Sequence, residues 1–178
     1  MTLTMSRFNQ HANIILVGFM GTGKSTIARM LSRKLKRDWV DMDKQIEREE
    51  RTTIEKIFAE HGEARFRGLE SALSLRLSLQ TDLIISTGGG IVLNEANLEA
   101  LGATGIIVCL TARPETVLER VQHNSNRPLL ETGEDKLSII QNLLAKRKPL
   151  YDQIKHQVTT DDREPEDVVQ DILDLRGL

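Results

Sequence analysis

Residues 13–26 read Asn-Ile-Ile-Leu-Val-Gly-Phe-Met-Gly-Thr-Gly-Lys-Ser-Thr. The run Asn13–Val17 is short, continuous and rich in β-branched residues, as a strand buried on both faces of a parallel sheet should be. Gly18–Ser25 then satisfies Gly-x-x-x-x-Gly-Lys-Ser/Thr in full. From Lys24 to Lys36, Ile27, Leu31 and Leu35 recur at helical spacing. Strand, glycine turn and helix in this order make a phosphate cradle. Glycines let the backbone curl until its N–H groups face phosphate oxygens, and the helix N-terminus adds positive potential. Lys24 is placed to bridge β- and γ-phosphates, and Ser25 to set its hydroxyl on Mg²⁺. A flexible turn would not require Lys-Ser directly after Gly23. The stretch therefore predicts a nucleoside triphosphate site built from Gly21, Thr22, Gly23, Lys24, Ser25 and Thr26.

Outward from this core, the chain alternates short apolar runs with longer amphipathic ones. Leu83–Ser86 and Gly105–Leu110 read as further buried strands, and Trp39–Asp41 and Gln157–Thr160 as weaker ones. Ala64–Leu79, Asn94–Leu101, Pro114–Gln122, Asp135–Lys146 and Pro165–Leu175 read as helices, with Pro114 and Pro165 at first-turn positions. Thr52 and Glu55 make a capping-box pattern ahead of Ile54, Ile57 and Phe58. The alternation predicts one α/β domain over residues 1–178 with a mostly parallel sheet. Ligands of such sheets sit beyond the carboxyl ends of the strands. Three turns fall there: Gly18–Ser25, Asp41–Asp43 and Thr87–Gly90.

Composition removes several classes. With 178 residues, 39% hydrophobic and 28% charged, neither disorder nor a fibrous protein fits. No apolar run approaches the ~20 residues of a membrane span, and Met1–Asn13 lacks the apolar stretch of a signal peptide. The single Cys109 excludes a disulfide framework and a cysteine zinc site. The net charge of −2 hides an asymmetry, because residues 1–37 carry seven bases and no acid. Such a segment marks either a nucleic-acid or membrane patch or a solvated helix face. Aromatics at 3% are thin for base stacking. The expectation is a cytoplasmic monomer acting on a small molecule, with no nucleic-acid or membrane partner.

Other residues carry chemistry without settling it singly. Alternation along Asp41-Met42-Asp43 would point both carboxylates to one side, one toward Mg²⁺ and one toward an acceptor hydroxyl. Equally, Asp43 could cap a helix beginning near Lys44. Three glycines in Thr87–Gly90 suit a backbone that must approach an anion or hydroxyl closely. Arg127 lies in the polar stretch His123–Glu134, which reads as a lid closing on transferring phosphate. Arg147 precedes Pro149-Leu150-Tyr151 at a helix junction. Arg67, Arg120 and Arg163 are ambiguous alone. No Asn-Lys-x-Asp guanine signature exists, and a kinase for a small acceptor suits the length.

Taken together, GFMGTGKST (18–26), DMD (41–43), IFAEHGEARFRGLE (57–70), STGGGIV (86–92), RPLL (127–130), KRKPLY (146–151) and DREP (162–165) resemble the shikimate kinase family. The resemblance runs over about residues 14–175. It implies a three-layer α/β/α P-loop kinase fold with a five-stranded parallel sheet in the order 2-3-1-4-5, and a mobile lid at about 123–134. It implies transfer of the ATP γ-phosphate to the 3-hydroxyl of shikimate, in aromatic amino-acid biosynthesis. In that frame Lys24, Asp43 and Arg127 are catalytic, and Ser25 and Asp41 support Mg²⁺. Arg67 and Arg147 grip the shikimate carboxylate with Gly88, Gly89 and Gly90, and Glu70 fixes Arg67. Phe58 and Phe66 wall the substrate pocket, and Arg120 and Arg163 flank adenine. Trp39 and the stretch Arg51-Thr52-Thr53-Ile54 depart from the family pattern, and both are expected near the shikimate-binding helices. Two readings compete: a kinase for gluconate or a nucleoside monophosphate, and a non-catalytic shikimate-sensing domain.

Overall fold

Strand β1 (Asn13–Gly18) is buried along its whole length. It lies at the centre of a five-stranded sheet whose order is β2-β3-β1-β4-β5, the order that the resemblance implied. The others are β2 (Trp39–Asp41), β3 (Ile84–Ser86), β4 (Gly105–Thr111) and β5 (His156–Thr159). All four pairings are parallel, with Ile14 opposite Ile84 on one side and Ile106 on the other. The computed structural model describes residues 11–121 and 135–176; the predicted lid, 123–134, and Arg127 lie outside the described residues.

The period-2 alternation of β1 divides the core. Ile14 and Leu16 pack with helices α1 (Lys24–Leu35) and α7 (Pro165–Arg176), through Ile27, Leu31, Val168 and Ile172. Ile15 and Val17 face the opposite layer, where α2 (Met42–Glu50), α3 (Ile54–Ser78), α4 (Glu95–Gly102), α5 (Pro114–Val121) and α6 (Lys136–Tyr151) contribute Met42, Phe66, Leu73, Leu101, Val117 and Ile140. Three layers follow from a strand with two apolar faces. Among the described residues no helix is long and apolar enough to cross a membrane. The basic residues Arg29, Arg33, Lys34 and Lys36 are exposed on or just after α1, the solvated face among the two readings of the base-rich segment.

Local structure departs from expectation at several points. The cap of α3 is Thr53, whose hydroxyl accepts from Lys56 N at 3.3 Å, one residue later than the Thr52–Glu55 pattern places it. Glu47 takes the Ile54 N–H at 3.1 Å, the kind of donor a box glutamate would otherwise satisfy. The segments expected as separate helices meet end to end at Gly62, whose φ of 79° breaks the helical course. Helix α6 continues through Pro149 to Tyr151, which puts Arg147 inside a helix and not at a junction. Trp39 packs on the α1/α7 side of the sheet, away from α3, so it does not border the helix that carries Arg67.

A close backbone approach in the sheet occurs at Gly105, opposite Asn13. A Cβ there would stand 2.7 Å from Asn13 Cβ and 2.6 Å from Ile15 Cδ1, and against the Asn13 carbonyl. Gly105→Ala must part β1 from β4, at a cost of about 2 kcal/mol. The thermal midpoint should fall by roughly 4–8 °C; an unchanged melt would show that the strands separate there freely.

Candidate active site

The carboxyl ends of β1, β2 and β3 meet the N-termini of α1 and α2 around a cleft of about 510 Å³. Its floor is the loop 18–25. Gly21 (φ 75°) and Gly23 (φ 93°) adopt left-handed conformations that side chains resist. Lys24, 9% exposed, donates from Nζ to the carbonyls of Gly18 at 2.7 Å and Phe19 at 2.8 Å. The Thr22 hydroxyl donates to Phe19 O at 2.8 Å and stiffens the same curl.

Ser25 and Asp41 meet across the cleft: Ser25 Oγ donates to Asp41 Oδ2 at 2.6 Å, and Ser86 Oγ lies 3.3 Å from Ser25 Oγ. Hard oxygen donors at a helix N-terminus suit Mg²⁺. Asp41, not Asp43, is the cap of α2, accepting from Lys44 N at 3.2 Å. Helix α2 begins directly after β2, so the two carboxylates do not alternate along a strand. They still line the same cleft, because a cap and a first-turn residue two places on both lie at one helix end.

The glycine turn joins this cleft to a second group of side chains. A Cβ at Gly88 would stand 2.7 Å from Asp43 Oδ1 and 2.9 Å from Glu70 Oε1, and one at Gly90 would strike the Arg67 guanidinium. Only a bare backbone fits between two carboxylates and an arginine. Gly89 lies against the phosphate loop, with its would-be Cβ 3.3 Å from Met20 N. Its carbonyl accepts from Arg147 Nη1 at 3.1 Å and from the Tyr151 hydroxyl at 2.6 Å. Arg147 is 9% exposed and stacks over Phe19, its Cζ 5.7 Å from the ring centre. Arg67 donates to Glu70 Oε2 at 2.8 Å and to Glu63 Oε1 at 3.0 Å, with its Cζ 5.2 Å from the Phe66 ring. The Phe58 and Phe66 rings meet at a tilt of 41°, with centroids 5.1 Å apart.

Burial pushes the Glu70 carboxyl above its ordinary value, against the opposing pull of the Arg67 hydrogen bond. Its Oε1 is buried with no hydrogen-bond partner among the described residues. Burial likewise pushes the Tyr151 phenol up to about 12, so it remains a hydrogen-bond donor at any working pH.

The cleft gathers Gly21, Thr22, Gly23, Lys24, Ser25, Thr26, Asp41, Asp43, Gly89, Arg120 and Arg163. Arg67, Gly88, Gly90 and Arg147 stand beside it rather than in its lining, linked through the glycine turn. Arg120 donates to Gly21 O at 3.2 Å and to Thr160 O at 2.8 Å, while Arg163 pairs with Asp171 at 2.6 Å. Sequence reasoning overlooked Ser86, Thr160, Glu63 and the hydroxyl of Tyr151. Two signals were available: Ser86 sits at a strand end just before the glycines, and Tyr151 follows Arg147 by one helical turn.

A family model described as shikimate kinase matches residues 20–176. A shikimate kinase of Pelotomaculum thermopropionicum is 42% identical over 161 residues, covering 90% of this chain and 93% of the relative. One from Caldicellulosiruptor saccharolyticus is 42% identical over 163 residues, covering 92% and 94%. Among solved structures, a shikimate kinase from Acinetobacter baumannii in complex with shikimate superposes with a TM-score of 0.88 at 37% identity, covering 94% of each chain. A gluconokinase from Sinorhizobium meliloti shares the fold at a TM-score of 0.61 and 15% identity.

The Glu70–Arg67 pair gives a pH-dependent prediction. A carboxyl whose folded pKa is raised stabilises the fold below its unfolded value, and that contribution is lost as the pH rises through the folded pKa. Glu70→Gln removes this dependence. Urea unfolding of the two proteins across a pH series should show the variant gaining stability relative to the parent as the pH climbs past 4.5, the ordinary value. A pH-independent difference would contradict the burial effect.

Proposed function

The chain belongs to the shikimate kinase family, and from that premise we propose that it transfers the γ-phosphate of ATP to the 3-hydroxyl of shikimate, as a single-domain cytoplasmic monomer acting on a small molecule. One observation carries the acceptor assignment. A side-chain-free turn backs onto Asp43, packs on the phosphate loop and is touched by two guanidinium groups, Arg67 and Arg147. An anionic polyol needs planar cationic forks for its carboxylate and an acceptor for its reacting hydroxyl.

In this reading the triphosphate lies along the loop 18–25 and the N-terminus of α1, where backbone N–H groups hold it. Lys24 supplies charge for the β- and γ-phosphates. Ser25 and Asp41 would hold Mg²⁺, which when bound would offset the charge developing on the transferred group. Asp43 accepts the hydrogen bond of the acceptor hydroxyl and takes or orients its proton. Arg67, kept in place by Glu70 and Glu63, and Arg147, poised on the Gly89 carbonyl, take the carboxylate, with Gly88, Gly89 and Gly90 allowing its close approach. Phe58 and Phe66 exclude water from the ring's apolar face. Arg120 and Arg163 flank the nucleotide base. Arg127, outside the described residues, keeps the role the resemblance gives it, a further cation for the phosphoryl group. The fold shared with a gluconokinase makes the acceptor the point to test.

ADP release should be stimulated strongly by shikimate and not by gluconate, quinate or AMP; stimulation by another acceptor alone would overturn the reading. Asp43→Asn should lower kcat by at least about a hundredfold while ADP still binds, and near-normal turnover would remove Asp43 from the chemistry. Arg147→Lys should raise the shikimate KM about tenfold through loss of the planar fork. A change confined to the ATP KM would reassign that arginine.

A further inference from the structure

Helix α5 lacks a cap of its own. The residues before Pro114 are Ala112 and Arg113, neither of which offers a side-chain acceptor. The acceptor comes from 48 residues downstream. Asp161, in the loop between β5 and α7, takes the Arg113 backbone N–H on its two carboxylate oxygens at 2.9 and 3.1 Å. Thr159 Oγ1 donates to the same carboxylate at 3.2 Å, and the Thr116 hydroxyl bonds it as well. The neighbouring Asp162 takes the Arg113 guanidinium at 2.7 Å. One loop thus holds the start of α5.

The same loop holds the other end. Arg120 donates to the Thr160 hydroxyl at 2.9 Å and the Thr160 carbonyl at 2.8 Å, and Nη1 also reaches Gly21 O at 3.2 Å. On that side of the helix, Val117 and Val121 press on the phosphate loop: a Cβ at Gly21 would stand 2.9 Å from Val121 Cγ1 and 3.4 Å from Val117 Cγ1. The position of α5 therefore bears directly on the curl of residues 18–25.

We propose that Asp161 is a positioning residue for the nucleotide: it caps α5 from outside the helix and so sets Val117, Val121 and Arg120 against the phosphate loop at Gly21. The proposal rests on the nucleotide half of the reading above and is independent of the acceptor. Without the cap the first turn of α5 loses its acceptor, and the contacts that hold Gly21 loosen. Asp161 bonds Arg113, Thr159 and Thr116, while the groups assigned to the acceptor lie on α3, α6 and the glycine turn.

The test is ADP binding to the full chain by calorimetry, together with steady-state kinetics and thermal melts. Asp161→Ala should raise the ADP Kd and the ATP KM about fivefold, the effect of losing one cap, with the shikimate KM and kcat within about twofold. Asp161→Asn keeps a capping acceptor and should recover most of the loss. A lower melting temperature with unchanged ADP affinity would make Asp161 merely structural and overturn the proposal, as would an equal rise in the shikimate KM. If Asp161→Ala does not fold, Thr116→Val removes one donor of the same carboxylate and should raise the ADP Kd about twofold; no change there also overturns it. ADP binding is read without an acceptor, so a chain that binds ADP yet fails to phosphorylate shikimate would refute the proposed function and leave this inference standing.

Discussion

In strand β1 every residue from Asn13 to Gly18 is buried, so its backbone must pair with strands on both sides and its two faces must both be covered. Parallel pairing with β3 and β4 meets the first demand. The alternation of Ile14 and Leu16 against Ile15 and Val17 meets the second, by sending side chains into two separate cores. Parallel strands joined by helices also bring their carboxyl ends to one edge. The phosphate loop, the Asp41–Asp43 segment and the glycine turn share a cleft for that reason. The site is a consequence of how a doubly buried strand is satisfied.

At that edge the decisive element is a turn with no side chains. Residues 88–90 separate Asp43 and Glu70 from the phosphate loop, with Arg67 against one side and Arg147 and Tyr151 on the Gly89 carbonyl. Any Cβ at 88 or 90 would displace a charged group. The turn thus lies between the phosphate loop on one side and Asp43, Glu70 and Arg67 on the other. The side-chain hydrogen bonds on its Gly89 carbonyl come from α6, which runs through Pro149 to reach Tyr151. Had that helix stopped at Lys146, as its pattern suggested, Arg147 and Tyr151 would not share one helical face.

Several residues show where reading a sequence loses its grip. Asp41 and Asp43 were rightly grouped, yet for a geometric reason that does not hold. The strand ends at Asp41, two residues before Asp43, and Asp41 is the cap. Thr52 and Thr53 compete for the same capping role, and the choice falls to Thr53 because Glu47, seven residues before Ile54, takes the Ile54 N–H. Trp39 marks a departure from the family pattern, but the pleat turns it toward α1 and α7. Lys44 and Glu47 settle the two caps from within seven residues, whereas the packing of Trp39 depends on α7, far along the chain.

What the sequence determined by itself is the set of local commitments: the buried strand, the glycine loop with Lys24 and Ser25, the helices opening on Pro114 and Pro165, and a sheet with parallel connections. These depend on backbone propensity and periodicity, which act within a few residues. Ordered motifs from Gly18 to Pro165 also sufficed to indicate the family. The tertiary structure alone decided which charges meet. Arg67, Arg120, Arg147 and Arg163 are scattered through the acidic part of the chain, and only the crossing of α3, α5, α6 and the β5–α7 loop over one sheet edge assembles them around the cleft. The capping of α5 by Asp161 belongs to the same class. Hydrogen bonds and ion pairs act over a few ångströms regardless of sequence distance, so no local pattern records them.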